Sequence, residues 1–426
     1  MRISNCIRGA SLLVATLACT ALPASAQLAN ASSTTLGLAG NATASARGLA
    51  ALSVNPAGLA MPGSASFTLT VLPIQIRPGL DPITLKDLKD FGGQVIPAAT
   101  KNEWLTRITT AGGESGSGGV DVTEIGLALG RFGFQVSSLV VGNASVSPAV
   151  AELVLFGNAG KTGSAATLAL EGSSADAFAM TTAGASLAFP LTSATGSMAI
   201  GATFKYTVGH AVVVGRNTAG SLSADQVSLD FPVVMVDEDD FSPNNGSGVG
   251  VDLGFQMKNG QLALGAAVLN ALNTFKWKEE NLVYRPGTAR LAQGGDSSSD
   301  FDKRAFAAAP ASLKALIDDM KFNPILSAGV AYDVSPDFTV SGDVRSRIGD
   351  GIAVTPKLHV GAGAEFRGLK ALHLRGGAAV ITDGIEIGGG ASLLLGPVNL
   401  SGALASRSGD AASTTVGQVT LSFGGL

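Results

Sequence analysis

The chain has 426 residues, a formal net charge of −4, 14% charged and 5% aromatic residues, 56 glycines and a mean hydropathy of +0.35. A chain this apolar is expected to meet a membrane, yet after residue 26 no apolar run reaches the roughly 18 residues that a transmembrane helix needs. Dispersed apolar residues suit a membrane β-barrel, whose strands alternate between lipid and lumen, and the small net charge offers no basic footprint for a nucleic-acid partner.

Arg2 and Arg8 flank the start, the apolar run SLLVATLACTALP follows, and ASAQ sets Ala24 and Ala26 ahead of Gln27. This pattern predicts a secretory signal peptide over 1–26, cleaved before Gln27. A lipobox at TLAC, with Cys19 lipidated, competes with it, but Thr16 fits that motif poorly. Cys6 and Cys19 are the only cysteines, so the exported chain should carry no thiol, disulfide or Cys-based metal site. The stretch 27–63 is rich in Ala and Gly and contains SVNPAGLA at 53–60; strand-like alternation starts at about residue 64 and runs through 64–426.

Period-two alternation then recurs to the end of the chain. Tentative strands fall at 64–76, 119–130, 132–142, 176–190, 197–208, 247–258, 260–270, 324–334, 337–346, 356–366, 371–381, 384–395, 397–407 and 414–423. The fold class is therefore all-β: a transmembrane antiparallel barrel of about 14 strands, each long enough to cross a bilayer when tilted. GRFG, LTSATG, KNG, VSPD, RGLK and LGP all fall on one side, expected to be periplasmic. The long stretches 77–118, 143–175, 209–246 and 271–323 all fall on the other. SLSADQVSLDFPVVMV, within 209–246, also reads as strand; it is taken as a hairpin in the loop, and 16 strands stay open. Helical spacing predicts outer-loop helices in TLKDLKDFGGQVI, in SPAVAELVLFGN, and in PASLKALIDDM with Ser312 as N-cap.

Charges on these strands keep to one face, which selects Lys205, Asp252, Gln256, His359, Glu365, His373 and Arg375 as lumen lining. A turn around Gly368 would set Glu365 opposite His373 and Gly363 opposite Arg375. The patch could orient a carboxylate or gate passage; a mixed-sign network that merely fills the interior is the alternative. VDEDDFSPNNG gathers Asp237, Glu238, Asp239 and Asp240 but lacks the alternating ligands of a calcium loop, so a solvated acidic loop is expected and no metal site. Strand glycines allow close backbone approach, as a barrel holding a plug would need, or reflect composition. No nucleophile elbow, phosphate-binding loop or other catalytic constellation is visible, and no cofactor is implied.

The stretch LGLAGNATASARGLAALSVNPAGLA resembles the N-terminal segment of the FadL-type outer-membrane channels and their PorV- and TraF-like relatives. GATFKYTVG, GVGVDLGFQMKNGQLALGAAVLN and the closing hairpins through VTLSFGGL are similar to strands of the PorV/TraF-like branch. The resemblance implies a fourteen-stranded barrel in the bacterial outer membrane with an N-terminal hatch in its lumen, and makes Asn55, Pro56 and Ala57 the hatch turn. Sparse aromatic residues and the ending SFGGL depart from the usual pattern of aromatic girdles and an aromatic end, with Phe423 nearest to one.

Two functions follow. One is uptake or passage of hydrophobic small molecules such as fatty acids; the other is a PorV-like barrel serving protein secretion, surface attachment or assembly. The expected partners are outer-membrane lipid and lipopolysaccharide, a hydrophobic small-molecule ligand and, on the second reading, a secretion component or secreted protein. A β-rich adhesin off the membrane would need its apolar faces covered by protein.

Overall fold

Fourteen antiparallel strands close on themselves in the computed structural model, which describes residues 28–157, 160–163, 167–194, 196–223, 226–239, 242–292, 297–349, 351–352, 355–382, 384–409 and 413–425. The leader over 1–26 lies outside the described residues. The strands are β1 in two pieces (Phe67–Val71 and Ile74–Asp81), β2 (Glu114–Leu129), β3 (Phe132–Val146), β4 (Ser174–Leu191), β5 (Ser197–Arg216), β6 (Gly246–Asn259), β7 (Leu262–Asn273), β8 (Ile325–Ser335), β9 (Phe338–Arg347), β10 (Leu358–Leu369), β11 (Leu372–Ile381), β12 (Gly384–Leu395), β13 (Val398–Gly409) and β14 (Thr414–Gly424). β1 pairs both with β2 and with β14, where Thr68 sits opposite Gly424, so the sheet has no free edge.

The period of two explains the two surfaces. Along β5, Ile200, Phe204 and Tyr206 are exposed while Thr203, Lys205 and Thr207 are buried. Leu253, Leu264, Val330, Leu404 and Val419 continue the exposed apolar wall on other strands. In a barrel this is the lipid-facing set. β1 is broken at Leu72 and Pro73, where proline cannot donate to the ladder.

The six short turns expected from the sequence lie at one rim, together with both ends of the barrel. At the opposite rim β5 runs well beyond its expected end at 208, to Arg216 and a length of 20 residues, while β4 starts only slightly before its expected start, at Ser174. The stretch 209–246 adds no barrel strand. It extends β5, then forms Ala219–Leu222 and Gln226–Asp230 of a separate five-stranded sheet, and Val233–Val236, which pairs with the end of β5.

Helices α1 (Thr34–Gly37) and α2 (Gly48–Val54) belong to the N-terminal segment, and α3 (Leu85–Asp90), α4 (Ala98–Ala111), α5 (Pro148–Phe156) and α6 (Ala311–Asp319) to the outer loops. α4 was not expected from sequence: after Ala98 and Ala99 behind Pro97 its first turns are the polar Thr100, Lys101, Asn102 and Glu103, and its buried face is only Trp104, Leu105 and Ile108. Ser312 is not the cap of α6. Pro310 holds the N-cap position with no side-chain bond, so Ser312 falls inside the helix.

Candidate functional site

The N-terminal segment fills the lumen on the short-turn side. α2 ends at Val54 because Pro56 disfavours helical backbone at the residue before it, and Asn55 is extended at φ −159° and ψ 100°. Pro56 then opens a 3₁₀ turn over Pro56–Ala60, with the Asn55 side chain accepting from Ala57 N at 3.3 Å. Asn55 is fully buried, and its Nδ2 donates to Thr43 O (3.0 Å), Phe255 O (3.0 Å) and Ala266 O (3.2 Å). Phe255 and Ala266 are opposite each other on β6 and β7, so Asn55 rivets the segment to that ladder.

Close approach here requires glycine. A Cβ on Gly254 would overlap Asn55 Oδ1 and one on Gly265 would overlap Thr43 O. The expected close backbone approach at strand glycines is therefore seen at these positions.

Elsewhere the segment has too little secondary structure to satisfy its own backbone, and inward polar side chains of the wall do so instead. Asp343 Oδ2 accepts from Ala42 N (2.9 Å), Thr43 N (2.9 Å) and Thr43 Oγ1 (2.7 Å). Arg345 Nη2 donates to Gly40 O at 2.8 Å and Gln135 Nε2 to Ala29 O at 2.7 Å. Gln256 Nε2 donates to Thr43 O at 2.9 Å and its Oε1 accepts from Arg47 Nη1 at 2.6 Å. Burial lowers the Arg47 guanidinium to about 10, against the opposing pull of Asp333.

Of the seven residues expected to line the lumen, Gln256 and His359 bond the segment directly, His359 through Nε2 and Asn41 Oδ1 at 3.1 Å. Lys205 and Asp252 are buried and paired at 2.5 Å, with Asn270 Oδ1 accepting a second Lys205 bond at 2.6 Å. The register around Gly368 differs from the expected one. The hairpin turns at Lys370 and Ala371, with Leu369 opposite Leu372, and not around Gly368, so that beyond a bulge between Phe366 and Leu369 Glu365 faces Arg375 and Gly363 faces Gly377. Arg375 Nε donates to Glu365 at 2.8 Å.

His359 and His373 share the inner face but do not meet. His359 lines a polar cavity of about 90 Å3 on the outer side of the segment, with Arg77, Asp121, Arg345, Glu386 and Arg407. His373, Glu365 and Arg375 line another of about 330 Å3 towards the short-turn rim. Asp343 and Arg345, which also bond the segment, were visible in the sequence only as polar members of an alternating strand.

The outer mouth departs from the polar lining that alternation suggests. Leu139, Val141, Phe178, Met180, Val212 and Val214, from β3 to β5, are buried against the loop residues Phe275, Trp277, Leu313, Ile317 and Phe322. The Phe275 ring packs edge-on against Trp277 (5.3 Å) and Phe322 (5.9 Å). The acidic loop is paired rather than merely solvated: Lys303 binds Asp237 and Asp239, and Arg285 binds Glu238. Asp240 lies outside the described residues.

A family model matches residues 70–403, that of a family of unknown function, DUF5723. The chain belongs to that family. No curated protein matches it. Among solved structures, this member of the family is similar to the toluene transporter TbuX of Ralstonia pickettii, at 12% identity over 94% of this chain and 99% of the other, with a TM-score of 0.52. It is also similar to a deltaS2S3 mutant of the TodX monoaromatic hydrocarbon channel, at 10% identity over 95% and 100% of the two chains and a TM-score of 0.53. At such identities the likeness is one of fold alone.

Proposed function

We propose that the protein is an outer-membrane channel for hydrophobic small molecules, with residues 27–63 as its hatch and the wall residues named above lining its lumen. The observation that carries this reading is the apolar outer mouth. Inward-facing Leu139, Val141, Phe178, Met180, Val212 and Val214 are unsuited to a water-filled pore, and, packed under Phe275, Trp277 and Leu313, would meet an apolar solute when those loops move aside. The hatch beneath them, hydrogen-bonded around the wall, separates that mouth from the periplasmic rim. The fold shared with a toluene transporter and a monoaromatic hydrocarbon channel supports the same class of solute. Transport rather than catalysis, and export to the bacterial outer membrane by a cleaved leader, belong to this reading.

The test is flux in proteoliposomes. The full chain should pass labelled toluene or a long-chain fatty acid faster than protein-free vesicles while excluding glucose; glucose flux without hydrophobic flux would contradict the reading. The extracellular five-stranded sheet favours a second reading, a PorV-like barrel that holds a secretion component or a secreted protein on its outer loops. A stoichiometric co-purifying protein, with no hydrophobic flux, would select it.

A further inference from the structure

The cavity of about 330 Å3 between the hatch and the short-turn rim carries an imbalance of charge. Four cations, Arg47, Lys258, Arg367 and Arg375, line it against two carboxylates, Asp333 and Glu365. Lys258 takes Asp333 at 2.6 Å. Arg367 and Arg375 share the single carboxylate of Glu365, at 2.7 and 2.8 Å. Among the described residues Arg47 has no carboxylate within bonding distance: its guanidinium donates to Gln256 Oε1 (2.6 Å) and to the carbonyls of Ala46 (2.7 Å), Pro62 (3.1 Å) and Ala44 (3.5 Å). Thr420 Oγ1 in the same lining is buried without a partner.

With His373 neutral, the vestibule holds two positive charges more than negative ones, inside low-dielectric walls that concentrate their field. Three of its four cations are guanidinium groups, whose planar fork matches a carboxylate in two parallel bonds. One fork belongs to the hatch and two to the wall strands β10 and β11. An anion between them would neutralise the excess and fasten the hatch to the barrel.

We propose that this vestibule is a binding site for a small organic dicarboxylate entering from the periplasmic side, with Arg47 of the hatch and Arg367 and Arg375 of the wall as its recognition groups. The site is separate from whatever the outer mouth admits, and does not rest on the solute proposed for the channel.

The test uses the full chain in detergent and the temperature at which its folded band converts to the unfolded band on a gel, titrated with succinate, phosphate or chloride at matched ionic strength. Succinate should raise the midpoint saturably and above the other two. Arg47→Gln should need at least tenfold more succinate for the same rise, and Arg367→Gln, on the wall, should do the same if the hatch variant fails to fold. Three results overturn the proposal: coincident succinate and chloride curves, a phosphate effect equal to that of succinate, or wild-type response in both variants.

Discussion

Asp343 and Thr43 meet through a single carboxylate oxygen, which accepts both the backbone N–H and the hydroxyl of Thr43 as well as the N–H of Ala42. Among the described residues no other wall side chain makes as many hydrogen bonds to the N-terminal segment. Asp343→Ala leaves three donors without that acceptor, at about 1–3 kcal/mol for each group that stays buried and unpaired. The expected outcome is a loosened hatch: more frequent conducting events in planar bilayers, with the barrel still shifting on a gel when boiled. Wild-type conductance from a folded Asp343→Ala barrel would remove the latch role.

Asn55 and Gly254 form a second contact that can be tested from either side. Asn55→Ala frees the carbonyls of Thr43, Phe255 and Ala266, and should lower the midpoint of the gel shift by an amount corresponding to about 2–4 kcal/mol. Gly254→Val places a side chain where Asn55 Oδ1 now sits and should displace the same turn. Equal conductance in the two variants, above that of the wild type, is expected, because both disturb one joint.

Lys205 and Asp252 allow charge to be separated from packing. Lys205→Met strands a buried carboxylate and should destabilise the barrel by about 3–5 kcal/mol, whereas Lys205→Met combined with Asp252→Leu should recover much of that loss. Denaturation of the three proteins in detergent measures it. A double variant no more stable than Lys205→Met would show that the pair's charges are not what matters.

Acid should loosen the outer loop around Asp87. The bond from Arg107, followed by those from the Thr84 backbone and hydroxyl, holds Asp87 down to about 2. A carboxyl depressed in the folded state contributes stability that is present above its unfolded value near 4 and is lost as pH falls towards 2. Trp104, packed edge-on against Phe91 at 5.8 Å, reports on this region. In a Trp277→Phe background its emission should shift to the red between about pH 4 and 2, and Asp87→Asn should show the shifted emission already at pH 7. An emission unchanged with pH in both would contradict the assignment.

Much of the barrel was legible because its physics is local. Alternation along 197–208 or 397–407 states which residues face lipid, and the sorting of short and long connections points to about 14 strands, with the strand-like stretch in 209–246 leaving 16 open, without any knowledge of tertiary contacts. Where a hairpin turns is not local in this sense: the chain turns between Leu369 and Leu372 and not around Gly368, which sets Glu365 opposite Arg375 instead of His373. Nor could alternation say that inward Asp343 and Gln256 bond a hatch while inward Val212 and Phe178 meet a folded loop. Those roles depend on what occupies the lumen, and the occupant comes from residues hundreds of positions away.

The central claim is that the N-terminal segment closes the barrel, and single-channel conductance of the full chain against a chain lacking residues 27–60 tests it most directly. The account predicts a folded, heat-modifiable barrel in both cases and a large increase in conductance on deletion. Unchanged conductance through a folded, truncated barrel would contradict it.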